Sequence, residues 1–198
     1  MPRQKRNRKN IRTSVKIHLI CEGSTEKQYM LKLLQGYKNV TVESIDGGGY
    51  GKYKSYIERN SALYSVFLIV ADLDKAQSRD TELKLLNGLI KFIHKVDSRN
   101  SIFLNGPDIE YWIACCLGHP EYSYEKLCDL GYKKGSTVNI FLQNNNGKHS
   151  RGKAIIADKP VYYRKVIPGK NYTLESGNLH LRQSNLGTLL EYIDHLNC

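Results

Sequence analysis

The run VFLIVADLD, residues Val66–Asp74, is the strongest strand signal in the chain. Its first six residues are apolar without interruption, the pattern of a strand buried on both faces of a parallel sheet. It breaks off in Asp72 and Asp74, and aspartates two apart at a strand terminus let both side chains leave the pleat and face one place. Toward the amino terminus, IHLICEGSTEKQYM (Ile17–Met30) has the same form: a buried strand ends in Glu22, and Glu26 follows in the first turn of a helix. That helix carries Tyr29, Met30, Leu33 and Leu34 at helical spacing, and Gly36 is placed to end it.

The remaining segments alternate. NVTVESI reads as a strand opening onto the glycine loop and short helix of DGGGYGKYKSYIERN. DTELKLLNGLIKFIHKV reads as an amphipathic helix, SIFLN as a fourth strand, and PDIEYWIACCLGH as a helix with proline near its first turn. Strand and helix in alternation predict an α/β domain, a mostly parallel Rossmann-like sheet flanked by helices. From about Gln143 the asparagine-, glycine- and lysine-rich QNNNGKHSRGKAIIADKP reads as a linker, and SNLGTLLEYIDHLN as a closing helix with Leu186, Leu189, Leu190 and Ile193 on one face. The expected division is a basic flexible arm over 1–14, a catalytic domain over 15–142, and a linker with a helical extension docking on the core over 143–198.

In open α/β sheets ligands gather beyond the carboxyl ends of the strands. Here those ends carry Glu22, Glu26, Asp72 and Asp74. Four carboxylates converging on one site raise one another's pKa values unless a divalent cation compensates, and hard oxygen donors suit Mg²⁺ or Mn²⁺. Acids after strands also serve as loop and cap residues, so an isolated D-x-D means little; the E-G-x-T-E turn together with D-x-D is what carries weight.

Thirty Lys plus Arg against nineteen Asp plus Glu give a net charge of +11, which favours a polyanionic partner. Arg3, Lys5, Arg6, Arg8, Lys9 and Arg12 form a basic arm with no acid among them, read either as a solubilising tail or as a segment lying on a nucleic-acid backbone. No apolar run approaches the roughly 18 residues of a membrane span, and no signal-peptide h-region follows the basic start. Five cysteines without a C-x-x-C pair suit neither a disulfide framework nor a zinc site, and the expected compartment is the reducing cytoplasm.

CEGSTEKQYM, ADLDKA and NGPDIEYWIACCLGH together resemble the Toprim fold, and within it the RloB-like branch, relatives of the OLD-type nucleases. The resemblance covers about Lys16 to His119. It implies that Glu22 is a metal ligand or general acid/base, that Asp72 and Asp74 bind Mg²⁺, that Glu26 matches the second glutamate of OLD-type nucleases, and that Glu110 is a further acid of the set. It also implies metal-dependent cleavage of DNA or RNA, in bacterial phage defence, with an ATPase encoded nearby as a partner.

Phosphodiester cleavage also needs positive charge on the phosphate, and Lys75, beside Asp74, is placed for it. DGGGYGKYKSY, with Lys52 and Lys54, offers glycines and charge for phosphate contact, although Asp46 and Tyr53 depart from a Walker A loop. Tyr50, Tyr53 and Tyr56, interleaved with those lysines, are candidates for stacking on unpaired bases or for packing. His18, inside a strand, reads as a core residue, and His149 as the one histidine worth testing.

Three rivals stand beside the nuclease. ADLDKA also fits the D-x-D of an aspartate-nucleophile phosphatase, though Ala76 replaces the usual hydroxyl or valine, and the D-x-D of a nucleotide-sugar glycosyltransferase; both leave Glu22 and Glu26 unexplained. The third is a non-catalytic nucleic-acid-binding or regulatory subunit of an ATPase complex.

Overall fold

The computed structural model describes residues 15–135, 137–153, 172–179 and 182–198. The basic arm, and with it Arg3, Lys5, Arg6, Arg8, Lys9 and Arg12, lies outside the described residues.

Five strands form one sheet in the order β2-β1-β3-β4-β5. They are β1 (Ile17–Cys21), β2 (Val40–Ser44), β3 (Val66–Asp72), β4 (Ser101–Gly106) and β5 (Gln183–Ser184). The first four run parallel, and β5 joins β4 antiparallel. Between the strands lie α1 (Ser24–Leu33), α2 (Gly49–Asn60), α3 (Asp74–Ser78) and α4 (Asp80–Val96). After β4 come α5 (Ile109–Leu117), α6 (Tyr124–Asp129), α7 (Val138–Asn144) and the final α8 (Leu189–Asn197).

Strand periodicity of two sorts the apolar residues into two cores. Leu19, Cys21, Leu68, Val70 and Phe103 face α1, α5, α7 and α8. Ile20, Phe67, Ile69, Ala71 and Leu104 face α2 and α4, where Leu83, Leu86, Ile90 and Ile93 form the buried stripe that the spacing of α4 predicts. With helices on both faces, β3 has no solvent side, so its continuous apolar run is required and each large side chain contributes roughly 1.5–3 kcal/mol of burial.

The connection β1–α1–β2 goes to one side of β1, and β2–α2 returns to β3 on the other. The chain therefore diverges between the carboxyl ends of β1 and β3, which opens a crevice there. Glu22 follows β1 and Asp72 ends β3 at that crevice.

Some local expectations are corrected. Helix α1 stops at Leu33 and is capped by Leu34, whose N–H reaches the Met30 carbonyl, so Gly36 is not the terminator. Pro107 lies next to the α5 cap, near the first turn as the sequence suggests, and Asp108 caps the helix, its Oδ1 accepting from Tyr111 N–H at 3.1 Å. Helix α7 runs past Gln143, and the asparagine-rich run begins as a tight reversal against α5, with Asn146 at φ 55 and Lys148 N–H bonded to the Cys116 carbonyl at 3.0 Å. Asparagine tolerates that left-handed backbone, so a polar stretch there makes a packed turn. Among the described residues no helix is long and apolar enough to cross a membrane.

Candidate active site

A cleft of about 380 Å³ opens at the carboxyl edge of the sheet, lined by Glu22, Glu26, Asp72, Asp74 and Glu110 together with Gly23, Thr25, Gly47, Ile109, Lys134 and Gly135. All five carboxylates singled out in the sequence therefore meet at one place.

Each is positioned by its own element. Asp72 is the last residue of β3, and its backbone carbonyl accepts from Tyr50 Oη at 2.7 Å, while Tyr53 Oη holds the Val70 carbonyl at 3.0 Å. The Leu73 N–H is bonded to the Asn105 and Pro107 carbonyls at 2.7 and 2.8 Å, and Asp74 N–H to the Pro107 carbonyl at 2.8 Å, so the D-L-D turn is clamped to the end of β4. Glu26 sits in the first turn of α1, tucked over Gly23; a Cβ at Gly23 would lie 3.2 Å from Glu26 Oε2, so a larger residue would push that carboxyl out. Gly47, at φ +77, turns the chain after β2 so that its N–H meets the Glu22 carbonyl at 2.9 Å. Glu110 lies in the first turn of α5 and accepts from Tyr132 Oη at 2.9 Å.

The electrostatics follow from burial and crowding. The Asp72 carboxyl is buried and held well above the usual carboxylate range, first by loss of solvation and then by the charges of Glu26, Asp108, Glu22 and Glu110. Glu26 is pushed up by burial and by the charges of Glu110 and Glu22, against the opposing pull of its own backbone and of Asp72. Burial, with Asp108 beside it, raises Glu110 as well, against the opposing pull of Tyr132 and Lys134. Asp72 Oδ1 is buried with no hydrogen-bond partner among the described residues. A buried carboxylate oxygen without a donor is costly unless something absent from the chain itself completes it.

Two lysines flank the acids. Lys75 bonds Glu22 through its ammonium, and that bond raises its pKa. Lys134 stands 3.6 Å from Glu110 Oε1, its pKa raised because Glu110 and Asp108 outweigh the cost of partial burial. With Glu22 turned to Lys75 and Glu110 to Tyr132, no three His, Cys, Asp or Glu side chains among the described residues already stand as a metal-binding group.

Other candidates fall elsewhere. Lys52 folds back so that its ammonium bonds the Ile45 carbonyl, and Lys54 lies by Glu58 and over the Phe92 ring. Tyr50 and Tyr53 are buried and Tyr56 is bonded to His18, so these tyrosines pack and do not offer faces to bases. His149 pairs with Asn139 at 2.7 Å, away from the cleft. Sequence reasoning missed Lys134, Tyr132 and Thr25, whose Oγ1 accepts from Gly135 N–H at 2.7 Å; the basic, glycine-containing GYKKGS at 131–136 was the available signal. No protein-family model, no curated protein and no solved structure matches the chain.

Proposed function

We propose that the protein is a metal-dependent nuclease of Toprim type that hydrolyses phosphodiester bonds of DNA or RNA. The observation that supports this most is the meeting of Glu22, Glu26, Asp72, Asp74 and Glu110 in one cleft at the β1/β3 divergence, on a chain of charge +11.

The donor set fits Mg²⁺ or Mn²⁺: the oxygens are hard, several carry raised pKa values, and Asp72 Oδ1 lacks a partner among the described residues. Glu22, Glu26, Asp72, Asp74 and Glu110 would hold the cation. When bound, it would supply an activated water and stabilise charge on the phosphate. The chain's own residues do the rest. Lys75 and Lys134 place ammonium groups at the cleft to neutralise an incoming phosphate. Tyr132 orients Glu110, and the Tyr50 and Tyr53 hydroxyls brace the backbone that aims Asp72. Phosphatase and glycosyltransferase readings use the aspartates but give Glu22 and Glu26 no part.

One observation favours a second reading. Because Lys75 engages Glu22 and no three groups among the described residues form a ready ligand set, a nucleic-acid-binding subunit without turnover is the alternative. Incubation of purified protein with plasmid, single-stranded DNA and tRNA, with Mg²⁺ or Mn²⁺ or with a chelator, tests the two. Cleavage that the chelator stops and Glu22→Gln abolishes supports the nuclease; activity that survives Glu22→Gln but not Asp72→Asn points to another D-x-D enzyme. Binding without cleavage supports the second reading.

A further inference from the structure

The cleft has a rim that its acids do not use. Tyr124, in the first turn of α6, is 42% exposed, and Lys134 places its ammonium 5.2 Å from the centre of that ring. The same ammonium lies 3.6 Å from Glu110 Oε1. Tyr132, bonded to Glu110 through its hydroxyl, meets the Tyr124 ring at right angles, centroids 6.2 Å apart. One lysine thus spans an exposed aromatic ring and a carboxylate of the cleft, and the buried Tyr132 fixes the position of that ring.

We propose that this rim holds an unpaired nucleotide, its base stacked on Tyr124 and its phosphate paired with Lys134, so that the cleft selects single-stranded nucleic acid over duplex. The inference rests on the nuclease reading and names the substrate form. A base within a duplex has both faces covered by its neighbours and offers none to Tyr124, whereas an unpaired base stacks on any aromatic ring regardless of sequence. The cation over the ring is a weak contact at an exposed site, which an incoming base displaces while the phosphate takes over the ammonium. A cleft of about 380 Å³ is in the size range of a small ligand, as one nucleotide is. The tyrosines of α2 are otherwise engaged: Tyr50 and Tyr53 are buried, and Tyr56 is bonded to and stacked with His18.

The test is fluorescence anisotropy in chelator, so that binding is read without cleavage, using labelled oligothymidylate, oligouridylate and a DNA duplex of the same length. Tyr124→Ala is expected to weaken single-strand binding by about 10-fold or more, leave duplex binding unchanged, and be rescued by Tyr124→Phe, which keeps the ring. The two single-stranded arms distinguish a DNA from an RNA ligand. Unchanged single-strand affinity in Tyr124→Ala, an equal loss on duplex, or a wild type that binds neither single strand overturns the proposal. Cleavage assays on the same proteins separate the two claims. Tyr124-dependent binding without any metal-dependent cleavage keeps the rim and removes the nuclease, while cleavage with no effect of Tyr124→Ala does the reverse.

Discussion

Strand β1 runs from a buried polar residue near one end to the acid-lined cleft at the other, and burial is handled in opposite ways in the two places. At the amino end His18 is fully buried, yet both ring nitrogens have partners: Thr41 Oγ1 at 2.7 Å and Tyr56 Oη at 2.9 Å, with the Tyr64 ring stacked 4.0 Å away. At the carboxyl end, the cleft reached by Glu22 crowds carboxyl groups and leaves Asp72 Oδ1 without a donor among the described residues. Burial costs both places solvation. The first recovers it from its own neighbours, which is the behaviour of a structural residue. The second recovers it only in part, which is the behaviour of a site that a ligand completes.

The largest effect that would break this contrast is on activity. Asp72→Asn is expected to lower metal-dependent cleavage at least ~100-fold, whereas Tyr56→Phe, which removes one partner of His18, should leave the rate within about 2-fold. Equal losses in the two variants would mean that the His18 pocket and the cleft do not differ in role.

Stability should sort the other way. His18→Ala removes a buried ring and two hydrogen bonds and is expected to cost about 3 kcal/mol in urea unfolding. Asp72→Asn should instead stabilise the metal-free protein at neutral pH by about 1–2 kcal/mol, read as a thermal midpoint several degrees higher for a chain of this size. A destabilised Asp72→Asn in chelator would show that the cleft carboxyls are satisfied as they stand.

The pH dependence sharpens the same point. His18 is held down to about 4, so its neutral form contributes stability that is complete above its ordinary 6.5 and is lost as pH falls toward about 4. Asp72 and Glu26 are raised, so their contribution is complete below the ordinary carboxylate range and is lost as pH rises through the raised values. The stabilising effect of Asp72→Asn should therefore grow from acid to neutral pH and shrink when Mg²⁺ is added, both read from thermal midpoints. A smaller effect belongs to the arm. Deleting residues 1–12 should weaken nucleic-acid binding severalfold at low salt and flatten its salt dependence, measured as log affinity against log salt; identical slopes would make the arm a tail without contacts.

Much of this was legible in the residues. The uninterrupted VFLIVA of β3 required helices on both sheet faces, and α4 runs over the same Asp80–Val96 that its apolar period marked. The convergence of Glu22, Glu26, Asp72 and Asp74 was readable because strand ends in an α/β sheet share an edge. Other features were not. Tyr50 and Tyr53, beside lysines, fitted base stacking or packing alike, and burial decides for packing, as braces for β3, because a tyrosine's ring is apolar while its hydroxyl needs only one carbonyl. Strand β5 is two residues long, too short for any periodicity, yet Ser184 Oγ bonds Asn105 Oδ1 at 2.7 Å beside the strand that carries Asp72.

The sequence by itself determined what depends on neighbours along the chain: the periods of strand and helix, the acids that terminate strands, and the excess of positive charge. Tertiary structure alone decided which of those groups are satisfied. Lys75 reaches Glu22 across 53 positions, Tyr132 reaches Glu110 across 22, and Gly135 reaches Thr25 across 110. Hydrogen bonds and charge interactions act over a few ångströms of space. No local pattern could reveal that, among the described residues, both ring nitrogens of His18 have partners and Asp72 Oδ1 has none.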